Sequence, residues 1–122
     1  MQKSKARSIG GETYMAKTSE IWICDGVEGT TRRQQIARLG EWKKLFLAES
    51  GASAVNVWEG GYGEYSGGWV LALEFESGAA CGASLDRFHG NSKSIDDAMD
   101  VWQKTPVLKY RAGGLIHHVE SI

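Results

Sequence analysis

Apolar residues fall at strand or helix spacing in successive blocks along the chain. Glu20-Ile21-Trp22-Ile23-Cys24 places bulky apolar groups on both faces, which predicts a strand covered on both sides. Asp25-Gly26 ends it. Thr30 or Thr31 offers a short hydroxyl to cap a helix, and Ile36, Leu39, Trp42 or Lys43, and Phe46 mark one helical stripe to about Glu49. Gly51 then takes the left-handed position that stops a helix. A second strand is expected over residues 54–59. Residues 60–68 hold five glycines around Tyr62, Glu64, Tyr65 and Ser66, a hairpin loop longer than a two-residue turn. Trp69-Val70-Leu71-Ala72-Leu73-Glu74-Phe75 is the strongest strand signal.

Ser77 opens a second helical region, residues 79–88, rich in Ala and Gly and broken by His89-Gly90-Asn91. Ser94-Ile95-Asp96-Asp97 reads as a cap followed by acidic residues suited to the positive helix end. Ile95, Met99 and Trp102 form the expected buried face, and Pro106 ends the helix near Thr105. A short turn through Tyr110 and the pair Gly113-Gly114 are expected to release the chain into a last strand, residues 115–119. Residues 1–18 are polar and aperiodic and read as a flexible N-terminal extension, leaving 19–122 as the folded domain.

The order strand, helix, strand, Gly-rich turn, strand, helix, strand is the split β-α-β pattern. It predicts an α+β, ferredoxin-like βαββαβ sandwich with a four-stranded antiparallel sheet and helices on one face. Strands apolar on both faces need cover on the other side as well, and a second copy packed sheet against sheet supplies it.

At 122 residues the chain is one domain, and its 42% apolar and 24% charged residues are those of a globular protein. A net charge of −1 argues against a nucleic-acid partner. No run approaches the ~18 apolar residues of a membrane span, so no membrane association is expected. Lys3, Lys5 and Arg7 are followed by no apolar stretch, so a secretory signal is not read and a cytoplasmic location is expected. Cys24 and Cys81 read as free buried thiols, with a disulfide left open. No nucleophile elbow, zinc-protease helix, Cys-x-x-Cys or dinucleotide fingerprint is present; hydrolase and kinase readings lack support, and no residue pattern demands a metal.

His117 and His118 are the leading candidates for chemistry, because an imidazole suits general-base work near neutral pH. As strand neighbours they point to opposite faces, so only one is expected to face a given pocket. Five tryptophans in the chain suggest core or an aromatic-walled cavity for a flat apolar ligand, with Trp22 and Trp69 among the candidate walls. Tyr65, with Tyr62, sits in the glycine-rich loop and reads as a hairpin tip or a lid. His89, near Asp86 and Arg87, reads as solvated, capping or at a pocket mouth.

The element order, the small-residue stretch Glu76-Ser77-Gly78-Ala79-Ala80-Cys81-Gly82-Ala83-Ser84-Leu85-Asp86-Arg87, and Trp102 followed by Pro106 resemble the dimeric α+β barrel superfamily over residues 18–122. That group includes antibiotic-biosynthesis and quinol monooxygenases, polyketide cyclases, muconolactone isomerases, NIPSNAP and EthD-like families and haem-degrading enzymes. The resemblance implies a homodimer that binds a small apolar or aromatic molecule, with cofactor-independent oxygenation, cyclisation or isomerisation among its activities and His117 or His118 as base. Cofactor-free monooxygenases of the group pair an Asn with a Trp near substrate, and Asn56 and Trp58 share a strand face here. The alternatives are a non-catalytic binding or stress-associated protein of the same fold, or a haem-binding or haem-degrading member with His89 as axial ligand.

Overall fold

Alternation along the strands decides which side chains meet the helices, and the computed structural model, which describes residues 15–88 and 92–119, shows that choice directly. The elements run β1 (Thr18–Gly26), α1 (Arg32–Glu49), β2 (Ala54–Glu59), a 3₁₀ turn (Gly63–Tyr65), β3 (Gly68–Phe75), α2 (Gly78–Phe88), α3 (Lys93–Lys104) and β4 (Leu108–His117). The sheet order is β2-β3-β1-β4, and every neighbouring pair is antiparallel. This is the expected four-stranded sheet.

Helix α1 starts at a reciprocal cap. Thr31 Oγ1 accepts from the Gln34 N–H at 3.1 Å, and the Gln34 side chain accepts from the Thr31 N–H at 2.7 Å. Its buried stripe is Arg38, Leu39, Trp42 and Phe46; Lys43 lies outside it, and Ile36, expected inside, is exposed. Ser92 rather than Ser94 caps α3, accepting from the Ile95 N–H at 3.4 Å. Ile95 and Trp102 are buried as expected, while Met99 is part-exposed.

Thr18, Glu20, Trp22 and Cys24 of β1 pair with Phe75, Leu73, Leu71 and Trp69 of β3, and this face meets the helices. Fully burying an aliphatic or aromatic side chain such as Phe46, Leu71 or Phe75, each at most 2% exposed, contributes about 1.5–3 kcal/mol. The opposite face carries Ile21, Ile23, Val70, Ala72 and Ala112, with Trp58 beside Val70 at 61% exposed. No helix of the described residues covers that face.

The last strand differs from expectation. It begins at Leu108, seven residues before the expected start, and Gly113 and Gly114 lie inside it rather than releasing the chain into it. Gly113 pairs with Trp22, and a Cβ there would sit 2.5 Å from the Ile21 carbonyl oxygen and 2.6 Å from Tyr110 Oη. The glycine is therefore a close-approach residue, a role that sequence alone does not separate from chain release.

The register of β4 slips by one residue opposite Ile23/Cys24, so that Ile23 pairs with Ala112 but Cys24 pairs with Tyr110. Arg111 is the extra residue of a β-bulge. Side chains alternate with period two, so the bulge exchanges the faces of everything before it. Leu108 and Tyr110 turn towards the helices, and Lys109 and Arg111 towards the uncovered face.

Candidate functional site: an aromatic cleft between the sheet and helices

Between β1, the start of β4, α1 and α3 lies a cleft of about 200 Å³. Trp22 comes from the sheet, Trp42 and Phe46 from α1, and Trp102 from α3. The rings pack edge to face: Trp22 meets Phe46 at 5.0 Å between centroids and 67°, and Trp42 at 6.3 Å and 75°. Trp42 meets Trp102 at 5.7 Å. Such pairs each contribute about 0.5–1.5 kcal/mol beyond area burial and hold the walls in place. Tyr110 stands at the mouth, perpendicular to Trp22 with centroids 6.3 Å apart, opposite Met99 and Gln103. Tyr110 is 61% exposed.

Polar groups around the walls are mostly committed. Trp22 Nε1 donates to Glu20 Oε2 at 2.6 Å. Arg38, 8% exposed, donates to the Thr105 carbonyl at 2.9 Å, which ties α1 to the end of α3. Its guanidinium also lies 5.8 Å from the Trp102 ring centroid. Burial, and secondarily the Asp25 carboxylate, pushes the Cys24 thiol up to about 11, against an opposing effect of Arg111. The thiol in the cleft wall is therefore neutral at physiological pH and a poor nucleophile. Cys81 is likewise buried, free and raised by desolvation. The cleft can hold a flat apolar body, with hydrogen-bonding groups at its rim, from Tyr110 and Gln103, and in its wall the buried Trp42 Nε1, which has no hydrogen-bond partner among the described residues.

The sequence-chosen residues fall in several places. Trp22 lines the cleft. Trp69 shares the helix-facing side but sits under the start of α1, its Nε1 donating to Gln35 Oε1 at 2.9 Å with Arg32 over its ring at 5.7 Å. Asn56 and Trp58 lie on the uncovered face, where Asn56 Nδ2 donates to Glu74 Oε2. Tyr65 ends the 3₁₀ turn, and Tyr62 is fully exposed. His89 lies outside the described residues.

His117 and His118 reach neither the cleft nor opposite pockets. Both line a second recess of about 480 Å³ at the end of the sheet, with Thr18, Glu74, Phe75 and Ile116. Strand β4 stops at His117, so strict alternation does not extend to His118. Thr18 Oγ1 donates to the Ala16 carbonyl at 3.0 Å and lies 2.8 Å from His117 Nδ1. A hydroxyl has one proton, so with that proton on Ala16 the Nδ1 must donate, and Nε2 keeps its lone pair. That arrangement is the tautomer a base acting through Nε2 would need.

Phe46, Trp42, Trp102 and Tyr110 were legible as aromatic, and the first three as inward-facing, but not as walls of one cavity. The signal was the coincidence of aromatic stripes on two helices. Tyr110 was hidden by the bulge. Among the described residues no three His, Cys, Asp or Glu side chains gather closely enough to hold a metal, and no helix is long and apolar enough to cross a membrane.

No protein-family model matches the chain, and no curated protein does. It is similar to a solved structure from Bacteroides fragilis NCTC 9343, described as a dimeric protein of unknown function with a ferredoxin-like fold. The TM-score is 0.53 at 11% identity, over 84% of this chain and 96% of that one. At that identity the likeness shows the fold, a ferredoxin-like α+β sandwich.

Proposed function

We propose that this protein is a homodimer that binds a small, flat, largely apolar molecule in the aromatic cleft. The observation that carries the reading is the convergence of Trp22, Trp42, Phe46 and Trp102 from three elements on one cavity. Binding sites are mostly apolar, with a few placed polar groups. At about 200 Å³ the cleft lies below the usual range of about 300–1,000 Å³, which suits one or two fused rings. The ligand's polar end, a hydroxyl or carbonyl, faces Tyr110 and Gln103. The second copy covers the Ile21, Ile23, Val70 and Ala72 face, a reading supported by the dimeric description of the Bacteroides protein.

Titration with 1-naphthol tests the cleft, read on the five indole N–H resonances. Those of Trp22, Trp42 and Trp102 move with one saturating curve, while Trp58 and Trp69 stay. A shift confined to Trp58, or none at all, refutes the site.

A second reading rests on the Thr18–His117 pair. A histidine hydrogen-bonded through Nδ1 beside a recess of about 480 Å³ favours cofactor-free acid–base chemistry, such as cyclisation or isomerisation, at the sheet end. If the protein turns over a substrate there, replacing His117 by Gln abolishes turnover and leaves 1-naphthol binding in the cleft intact. Unchanged turnover in the variant excludes the base.

A further inference from the structure

The uncovered sheet face and the cleft lie on opposite sides of the sheet, yet two consecutive residues connect them. Tyr110 points to the cleft mouth, and Arg111, the bulged residue, points the other way. Arg111 is fixed at both ends of its fork. Its Nε lies 3.2 Å from Asp25 Oδ2, and its Nη1 donates to the Glu64 carbonyl at 3.0 Å. Asp25 belongs to β1, and Glu64 to the 3₁₀ turn of the glycine-rich loop. The planar fork can serve both acceptors at once, which a lysine ammonium cannot do with the same geometry.

We infer that Arg111 is a positioning residue for the ligand cleft: its clamp on Asp25 and the Glu64 carbonyl holds the bulge, and the bulge holds Tyr110 against Trp22 at the mouth. This rests on the cleft being the ligand site. Three observations converge. The register slip falls between Tyr110 and Ala112. Gly113 leaves the space that the Tyr110 ring occupies, since a Cβ there would meet Tyr110 Oη at 2.6 Å. The ring is 61% exposed, with its edge-to-face contact on Trp22 and its Oη over Gly113, so burial alone does not fix it. Bulges re-aim side chains next to binding sites, and here the re-aimed side chain is the mouth residue. The glycine-rich loop thereby acts on a cleft it does not line.

The test compares Arg111→Ala, Arg111→Lys and Asp25→Asn with the wild type by NMR, first without ligand and then with 1-naphthol. Without ligand, the Tyr110 ring protons carry a ring-current shift from Trp22. This shift collapses in Arg111→Ala and is partly restored in Arg111→Lys, while the Trp42 and Trp102 indole resonances stay. With 1-naphthol, Kd rises about tenfold in Arg111→Ala and less in Arg111→Lys, a tenfold change being about 1.4 kcal/mol. Asp25→Asn gives the same direction if Arg111→Ala does not fold. An unchanged Tyr110 shift in Arg111→Ala, or in Asp25→Asn where it must stand in, overturns the inference. If the wild type binds no 1-naphthol, the cleft reading fails, and the ligand-free Tyr110 shift still decides whether Arg111 positions the ring.

Discussion

The Trp102 indole donates to Glu41 Oε2 at 2.8 Å, and Arg38 reaches the same carboxylate oxygen at 3.6 Å while its guanidinium lies 5.8 Å from the Trp102 ring centroid. One acid thus serves a base and an indole across the α1–α3 contact, and Arg38 also bonds the carbonyl of Thr105 just past α3. The helix end that shapes one wall of the cleft is thus tied to α1 by hydrogen bonds as well as packed into the core.

Replacing Arg38 by Ala therefore loosens α3. It strips donors from the Thr105 and Trp102 carbonyls and removes packing over the indole. The expected loss is about 1–3 kcal/mol by urea unfolding. Arg38→Lys recovers part of it. Hydrogen exchange should quicken in α3 before α1, and uniform exchange would contradict the assignment.

Phe46 touches Trp22 and Trp42 and is 1% exposed. Phe46→Ala should cost about 3–5 kcal/mol by chemical denaturation. The widened cavity should also weaken selectivity for flat ligands.

Stability should fall in alkali because of Cys24. Its folded-state thiol is raised from 9.0 to about 11, so above pH 9 the unfolded chain ionises and the native chain does not. The stabilisation is complete below pH 9 and is lost as pH rises towards 11; two units correspond to about 2–3 kcal/mol. The Cys24→Ala variant should flatten that part of the curve in thermal melts at pH 8 to 11. A slope equal to that of the wild type would mean the thiol is not the group involved.

Thr18→Val removes the acceptor of His117 Nδ1. The Nε2–H tautomer should then gain population, visible in long-range ¹⁵N correlation spectra of the ring. A spectrum identical to wild type would show that Thr18 does not set the tautomer.

Ile21→Glu places a charge at the centre of the uncovered face, where Ile21 pairs with Ala72 and Gly114. Sedimentation velocity should show a protomer in place of a dimer, with the far-ultraviolet circular dichroism unchanged. A wild type that already sediments as a protomer removes the second copy from the proposal.

The sheet and the first helix were readable because each is written in a local period. Leu39, Trp42 and Phe46 repeat at helical spacing, and Trp69 to Phe75 is bounded by glycines and by Glu76-Ser77. The last strand was readable over residues 115–117, but not its start at Leu108. Its exposed residues follow no apolar alternation, the bulge at Arg111 breaks the period of two, and Gly113-Gly114 resembles a breaker in one dimension. The cleft was half legible: its walls were recognisable as inward-facing aromatics, but their convergence depends on how α1 and α3 cross the sheet. The two histidines share one recess at the sheet end, where β4 stops at His117, and strand alternation alone does not foresee that.

The bulge makes the segment from Pro106 to Gly113 sensitive to length as well as to identity. Gaining a single residue between Arg111 and Ala112, with the one-residue bulge kept, would set Arg111 opposite Cys24 in place of Tyr110 and Lys109 opposite Gly26 in place of Leu108, a guanidinium at the cleft entrance and an ammonium beneath the helices. Substitution scanning of this stretch would therefore penalise Leu108, Tyr110, Arg111 and Gly113 and spare the other exposed positions, while a single-codon insertion after Arg111 would disturb all the positions before it at once.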